Sequence, residues 1–199
     1  MASDGRPARD PRAPDRLRRP AATVWLTGLS GAGKTTLALA LEEELLRSGR
    51  GACVLDGDEL RRGLSSDLGL SRGDRAEQAR RAAWVSGMIA TSGVVAIVAL
   101  LSPYTEDRQR AREIHESLHV PFCEVWVDTP LSVCEERDAK GLYARARSGD
   151  LHGLTGLDAP YESPEASELR LPGHGMAPEA AAQEILEFLT TSGCLTREG

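Results

Sequence analysis

The chain has 199 residues, a formal net charge of −6, and 41% hydrophobic against 27% charged residues, which is the make-up of a globular protein with material for one core. The negative balance runs against general nucleic-acid binding. The longest apolar run, 94–101, is too short to span a bilayer. The N-terminal arginines are followed by no hydrophobic signal-peptide core, and Cys53, Cys123, Cys134 and Cys194 form no C-x-x-C pair. A cytoplasmic protein with reduced, mostly buried thiols is therefore expected, with no membrane or nucleic-acid partner.

Residues 1–20 carry six arginines, four prolines and almost no large apolar group, too little to offset the entropy of ordering. They are expected to form a disordered tail ahead of a domain over 21–199. Strand-like runs at 23–27, 52–55, 94–100 and 122–127 alternate with helical stretches at 34–47, 74–92 and 106–118. That alternation predicts an α/β fold, a parallel sheet with helices on both faces. Ser71-Arg72-Gly73-Asp74 resembles a capping box, and Gly93 is placed to end the helix it opens. The apolar positions of 180–189 predict a C-terminal helix docked on the sheet.

The first strand runs into Gly28-Leu29-Ser30-Gly31-Ala32-Gly33-Lys34-Thr35, which satisfies G-x-x-x-x-G-K-S/T at every fixed position. Glycines let consecutive backbone N–H groups turn towards a triphosphate. Lys34 reaches the β and γ phosphates, and Thr35 offers a hydroxyl to Mg²⁺. The helix that begins near Gly33 and continues through Thr36 adds its positive end. The chain is thus read as a P-loop NTPase binding ATP through residues 28–36.

The second strand leads to Asp56-Gly57-Asp58, two carboxylates for which a triphosphate site has a use. One orders Mg²⁺ or its waters, and the other orients or deprotonates an attacking hydroxyl. Arg61 and Arg75 are suited to an anionic acceptor, with Gln78 one helical turn beyond Arg75. Arg62, Arg72, Arg80 and Arg81 are expected to face water. Ser102-Pro103-Tyr104 closes the third strand, where a serine or its backbone can contact a substrate. His115, His119, His152 and His174 lack metal-ligand spacing with the cysteines, and Trp25, Trp84 and Trp126 are expected in the core.

Taken together, GLSGAGKTT, DGD, DLG, DRxE, SPY, VDTPLSVCEERD, KGLYARARSGD and TGLDAPYESPE resemble adenylylsulfate kinase in order and spacing, from about residue 23 onward. The resemblance implies transfer of the ATP γ-phosphoryl to the 3′-hydroxyl of adenosine 5′-phosphosulfate. It implies ATP and Mg²⁺ at Lys34, Thr35 and Asp56, and chemistry at Asp58, Lys34 and Ser102. The acceptor site it implies comprises Asp58, Arg61, Leu70, Arg75, Gln78, Leu101, Ser102, Lys140, Leu142 and Leu154. Residues 139–168, rich in Gly and charge and without clear period, would be a lid that excludes water. Dimerisation is common in that family, so a homodimer enters as a candidate assembly.

The chain also departs from the family pattern. Leu70 and Leu154 stand where the family usually has the two phenylalanines that sandwich the acceptor adenine, and Leu100-Leu101-Ser102-Pro103 replaces the familiar F-I-S-P. Gln78 and Glu59 replace asparagines, and Thr105 a basic residue. Two alternatives follow: a kinase with the same machinery and a reshaped acceptor pocket, or a catalytically idle nucleotide-binding regulator.

Overall fold

Strand side chains alternate between two apolar layers, as period-two geometry requires of a sheet covered on both faces. A computed structural model describes residues 21–195; the expected N-terminal tail lies outside them. Five parallel strands, β1 (Thr23–Thr27), β2 (Ala52–Asp56), β3 (Val95–Ala99), β4 (Phe122–Asp128) and β5 (Leu169–Pro172), lie in the order β2-β3-β1-β4-β5. Val24 and Leu26 of β1, Ile97 of β3 and Val125 of β4 point to the larger layer, beneath α1 (Lys34–Arg47) and α7 (Pro178–Thr191). Trp25, Val98 and Phe122 point the other way, towards α3 (Arg72–Thr91) and α4 (Thr105–Ser117).

The remaining helices are short: α2 (Gly57–Arg62), α5 (Leu131–Arg137) and α6 (Leu142–Arg147). β1 occupies the centre, with β3 on one side and β4 on the other. The chain passes from one half of the sheet to the other in the β3-α4-β4 connection, past the central β1, so loops leaving the carboxyl ends of the strands open onto a crevice.

The predicted capping box is present. Ser71 accepts from the Asp74 N–H, and the Asp74 carboxylate accepts from the Ser71 N–H. Helix α3 accordingly begins at Arg72, two residues earlier than the sequence suggests, and Ser92 caps its end with Gly93 at φ 88°.

Four expectations need correction. Arg72 does not simply face water: partly exposed, its guanidinium holds Asp107 at 2.9 Å and Glu106 at 3.0 Å and stacks 4.0 Å over the Tyr104 ring, tying α3 to α4. Arg81 likewise pairs with Asp67 and Glu77. Trp84 lies on the outer face of α3, 41% exposed, because α3 buries its stripe of small residues Ala79, Ala82, Ala83 and Ser86 instead. Of the four free thiols, Cys123 and Cys134 are buried while Cys53 and Cys194 are partly exposed. His115 is a core residue, packed against Phe122 and bonded to Ser86 and the Ala111 carbonyl.

Segment 139–168 is more ordered than its composition suggests. It contains α6 and a bridge between Thr155 and Ala159, and it anchors Tyr143 and Leu154 in the larger apolar layer. No helix among the described residues is long and apolar enough to cross a membrane.

Candidate active site

The phosphate-binding loop takes its shape from where β1 delivers it. Gly28 sits at φ 149°, and a Cβ there would lie 2.6 Å from the Val127 carbonyl of the neighbouring strand, so only glycine fits. Each of the five carbonyls from Gly28 to Ala32 is engaged by a donor within the protein. Lys34 Nζ donates to Gly28 O and Leu29 O at 2.8 and 2.7 Å, and Tyr143 donates to Ser30 O at 2.8 Å. Arg137 donates to Gly31 O at 3.2 Å, and Thr129 to Ala32 O at 2.8 Å.

With those oxygens occupied, the loop meets an anion with the unpaired N–H groups of the first turn of α1, at Lys34, Thr35 and Thr36. Gly173, just after β5, lies against this scaffold. A Cβ at that position would strike the Thr129 hydroxyl and come within 2.7 Å of Ala32 O. Tyr143, Arg137, Thr129 and Gly173 carried no expectation in the sequence. Three of them lie within the quoted VDTPLSVCEERD and KGLYARARSGD motifs, and that was the available signal.

Lys34 is half-buried. Desolvation, reinforced by the positive charge of Lys140, lowers its pKa from 10.5 to about 8. A negative charge placed beside this ammonium would offset the desolvation and raise the value again. Beside it, Thr35 Oγ1 donates to Asp56 Oδ2 at 2.6 Å, while Asp56 Oδ1 accepts from the Asp58 N–H at 2.8 Å. Asp56 is thus the N-cap of α2. What reads in sequence as an Asp-Gly turn is a strand running directly into a helix. That junction turns Asp58 outward, where its carboxylate pairs with Lys140 from the 139–168 segment.

The guanidinium groups of Arg61 and Arg75 are held by backbone carbonyls. Arg61 donates to Gly69 O at 2.8 Å, and Arg75 to Leu70 O and Gly153 O at 3.0 and 3.2 Å. Burial lowers the pKa of both, and the Arg61 charge depresses Arg75 further. Two desolvated cations this close favour an anion between them. Gln78 is buried and donates to Gly57 O at 2.9 Å, fixing the start of α2 against α3.

Ser102 differs from the simple expectation of a hydroxyl facing substrate. Its backbone sits at φ 35°, a region that strains a residue with a side chain, and its Oγ accepts from the buried Trp25 indole at 3.0 Å. The hydroxyl is turned into the core, so Ser102 offers the cleft its backbone.

One cleft of about 1360 Å³ gathers these groups. It is lined by Ser30, Gly31, Ala32, Gly33, Lys34, Thr35, Thr36, Asp56, Asp58, Arg61, Leu70, Arg75, Gln78, Leu101, Ser102, Lys140, Leu142 and Leu154. Of the sequence candidates, only Gly28 and Leu29 lie outside its wall, and these two shape the loop from beneath. Leu70 is 54% exposed at the mouth, whereas Leu154 is 8% exposed and packed into the apolar layer.

The family model described as adenylylsulphate kinase matches residues 20–172. The chain belongs to the adenylylsulfate kinase family. The adenylyl-sulfate kinase of Saccharomyces cerevisiae is 48% identical over 167 residues, 84% of this chain and 83% of that one. The bifunctional enzyme CysN/CysC of Mycobacterium tuberculosis is 47% identical over 170 residues, 85% of this chain, and this chain spans 28% of that longer protein. Among solved structures, the M. tuberculosis APS kinase CysC in complex with AMPPNP and APS superposes with a TM-score of 0.84 at 46% identity, covering 86% of this chain and 98% of that one. An α/β P-loop kinase fold is thereby shown for this family member.

Proposed function

We propose that the chain is an adenylylsulfate kinase, moving the γ-phosphoryl of ATP onto the 3′-hydroxyl of adenosine 5′-phosphosulfate. The supporting observation is the single cleft that combines a phosphate-binding loop, the Asp58 carboxylate in its ion pair with Lys140 and the guanidinium groups of Arg61 and Arg75. In this reading Lys34 and the α1 N-terminus hold the β and γ phosphates. Arg61 and Arg75 hold the phosphosulfate. Asp58, released from Lys140, accepts the proton of the 3′-hydroxyl as the oxygen attacks phosphorus and ADP leaves. Lys140 is then free to compensate charge on the transferring group.

Thr35 and Asp56 offer hard oxygen donors 2.6 Å apart, a set that suits Mg²⁺. When bound, the ion would supply charge neutralisation to the phosphates. Among the described residues no cluster of three or more His, Cys, Asp or Glu could hold a metal alone.

Lys34 gives this reading a pH signature. Its free-state value of about 8 lies below the ordinary 10.5, and a bound triphosphate raises it again. Below pH 8 the lysine is charged with or without nucleotide, so its affinity term is flat. Above pH 8 binding must take up a proton, and ATP affinity falls as pH rises. Titration calorimetry at pH 7 and pH 9, in buffers of different ionisation heat, is expected to find proton uptake only at the higher pH.

The test of the function is a purified-protein assay with ATP, Mg²⁺ and adenosine 5′-phosphosulfate, following ADP and the nucleotide product by chromatography. Stoichiometric 3′-phosphorylated product supports the proposal; bound ATP without product overturns it. A second reading, the same chemistry on another hydroxyl, is favoured by one observation: leucines at 70 and 154 where the family has rings. Stacking on a base is worth about 1–3 kcal/mol and leucine keeps part of that by apolar contact, so Leu70→Phe is expected to lower the acceptor KM roughly five- to tenfold. Leu154 is packed, and enlarging it forces strain of about 1–3 kcal/mol, so the single Leu70→Phe variant is the cleaner comparison. An unchanged KM would mean that the acceptor base does not lie against position 70.

A further inference from the structure

The wall of the acceptor side, Leu101 to Pro103, has three consecutive carbonyls, and none is left to solvent chance. Thr27 Oγ1 donates to Leu101 O at 2.9 Å, with Ser102 O at 3.3 Å; Arg108 Nη1 donates to Ser102 O at 3.0 Å; and the Glu162 N–H donates to Pro103 O at 2.8 Å. The Glu162 carboxylate also accepts from the Thr105 N–H at 2.7 Å, capping α4. Arg108 is itself fixed by a buried ion pair with Glu124 at 2.7 Å.

Tyr161 completes the arrangement, its hydroxyl 3.1 Å from Thr27 Oγ1. A threonine hydroxyl has one hydrogen. Thr27 gives it to a carbonyl, which can only accept, so Tyr161 must be the donor in its bond to Thr27. Burial pushes the tyrosine pKa up to about 12, so that hydrogen is present at every working pH. The chain of bonds is directional, from Tyr161 through Thr27 to the Leu101 carbonyl.

Thr27 is the last residue of β1 and immediately precedes Gly28. Neither it nor Tyr161 nor Glu162 lines the cleft. We infer that Thr27, Tyr161 and Glu162 form a three-way junction that joins the start of the phosphate-binding loop, the acceptor wall at Leu101–Pro103 and the end of segment 139–168. Its work is to hold the strained Ser102 backbone in the geometry the acceptor requires. These are positioning residues. The inference rests on the proposed function, since it assigns a task in acceptor binding.

The test is steady-state kinetics of Tyr161→Phe, Thr27→Val, Thr27→Ser and the Tyr161→Phe/Thr27→Val double variant, alongside wild type, with thermal melts of each. Removing one such bond is expected to raise the acceptor KM about fivefold, with the KM for ATP unchanged. Thr27→Ser keeps the hydroxyl and restores the acceptor KM. The double variant is no worse than Thr27→Val, because both changes break the same chain of bonds.

An acceptor KM that stays at the wild-type value in Tyr161→Phe overturns the junction, as does an effect confined to the melting temperature or equal for both substrates. Additive effects in the double variant do so too. Wild-type protein that turns over no adenosine 5′-phosphosulfate would instead overturn the functional reading, so the two failures are distinguishable. Should Thr27→Val fold poorly, Tyr161→Phe decides the matter alone, since it removes a single oxygen from a ring that keeps its packing.

Discussion

Asp58→Asn is expected to lower kcat by about 10²- to 10⁴-fold, the usual contribution of a positioned general base, while the dissociation constant for ATP stays within about threefold. The amide keeps the shape of the carboxylate and its place two residues into α2, but it cannot accept the hydroxyl proton or pair with Lys140. Asp58 is exposed and holds no part of the core, so the circular dichroism spectrum and the melting temperature are expected to match wild type. Rapid-quench measurement of product formation separates the chemical step from nucleotide release. A kcat within threefold of wild type would remove Asp58 from the reaction.

Lys34→Ala is expected to cost about 10²- to 10³-fold in kcat, the scale of losing one preorganised donor to a charge developing in the transition state, together with weaker ATP binding. Two opposing effects should leave stability nearly unchanged. Removing a desolvated ammonium relieves a burial cost, while Gly28 O loses its donor and Leu29 O keeps only the Ala32 N–H. The proton uptake above pH 8 should disappear in this variant. Uptake that persists would assign the titration to another group.

The P-loop was legible because its chemistry is local: eight consecutive residues fix the turn, the charge and the hydroxyl. Asp56 and Asp58 were legible for a similar reason, through a strand end followed by two acids. The helix that α2 makes of Gly57-Asp58 was not, since one turn of helix has no period to read. β5 escaped because its register is set by β4, with Val125 opposite Leu169 and Asp128 opposite Pro172, and a four-residue edge strand carries little pattern of its own. Arg72 was misread because its partners, Asp107 and Glu106, lie on another helix more than thirty residues away.

By itself the sequence determined the alternating α/β order, the capping box at Ser71, the nucleotide loop and the family to which the chain belongs, because each is written in short-range spacing or in contiguous motifs. The tertiary structure alone decided which way the Ser102 hydroxyl turns, that Arg61 and Arg75 are desolvated together, and that Leu154 is packed while Leu70 stands at the mouth. It alone decided that Tyr161 reaches Thr27 across 134 positions. Burial, charge proximity and hydrogen-bond direction depend on which segments the sheet order β2-β3-β1-β4-β5 brings together, and no local pattern encodes that.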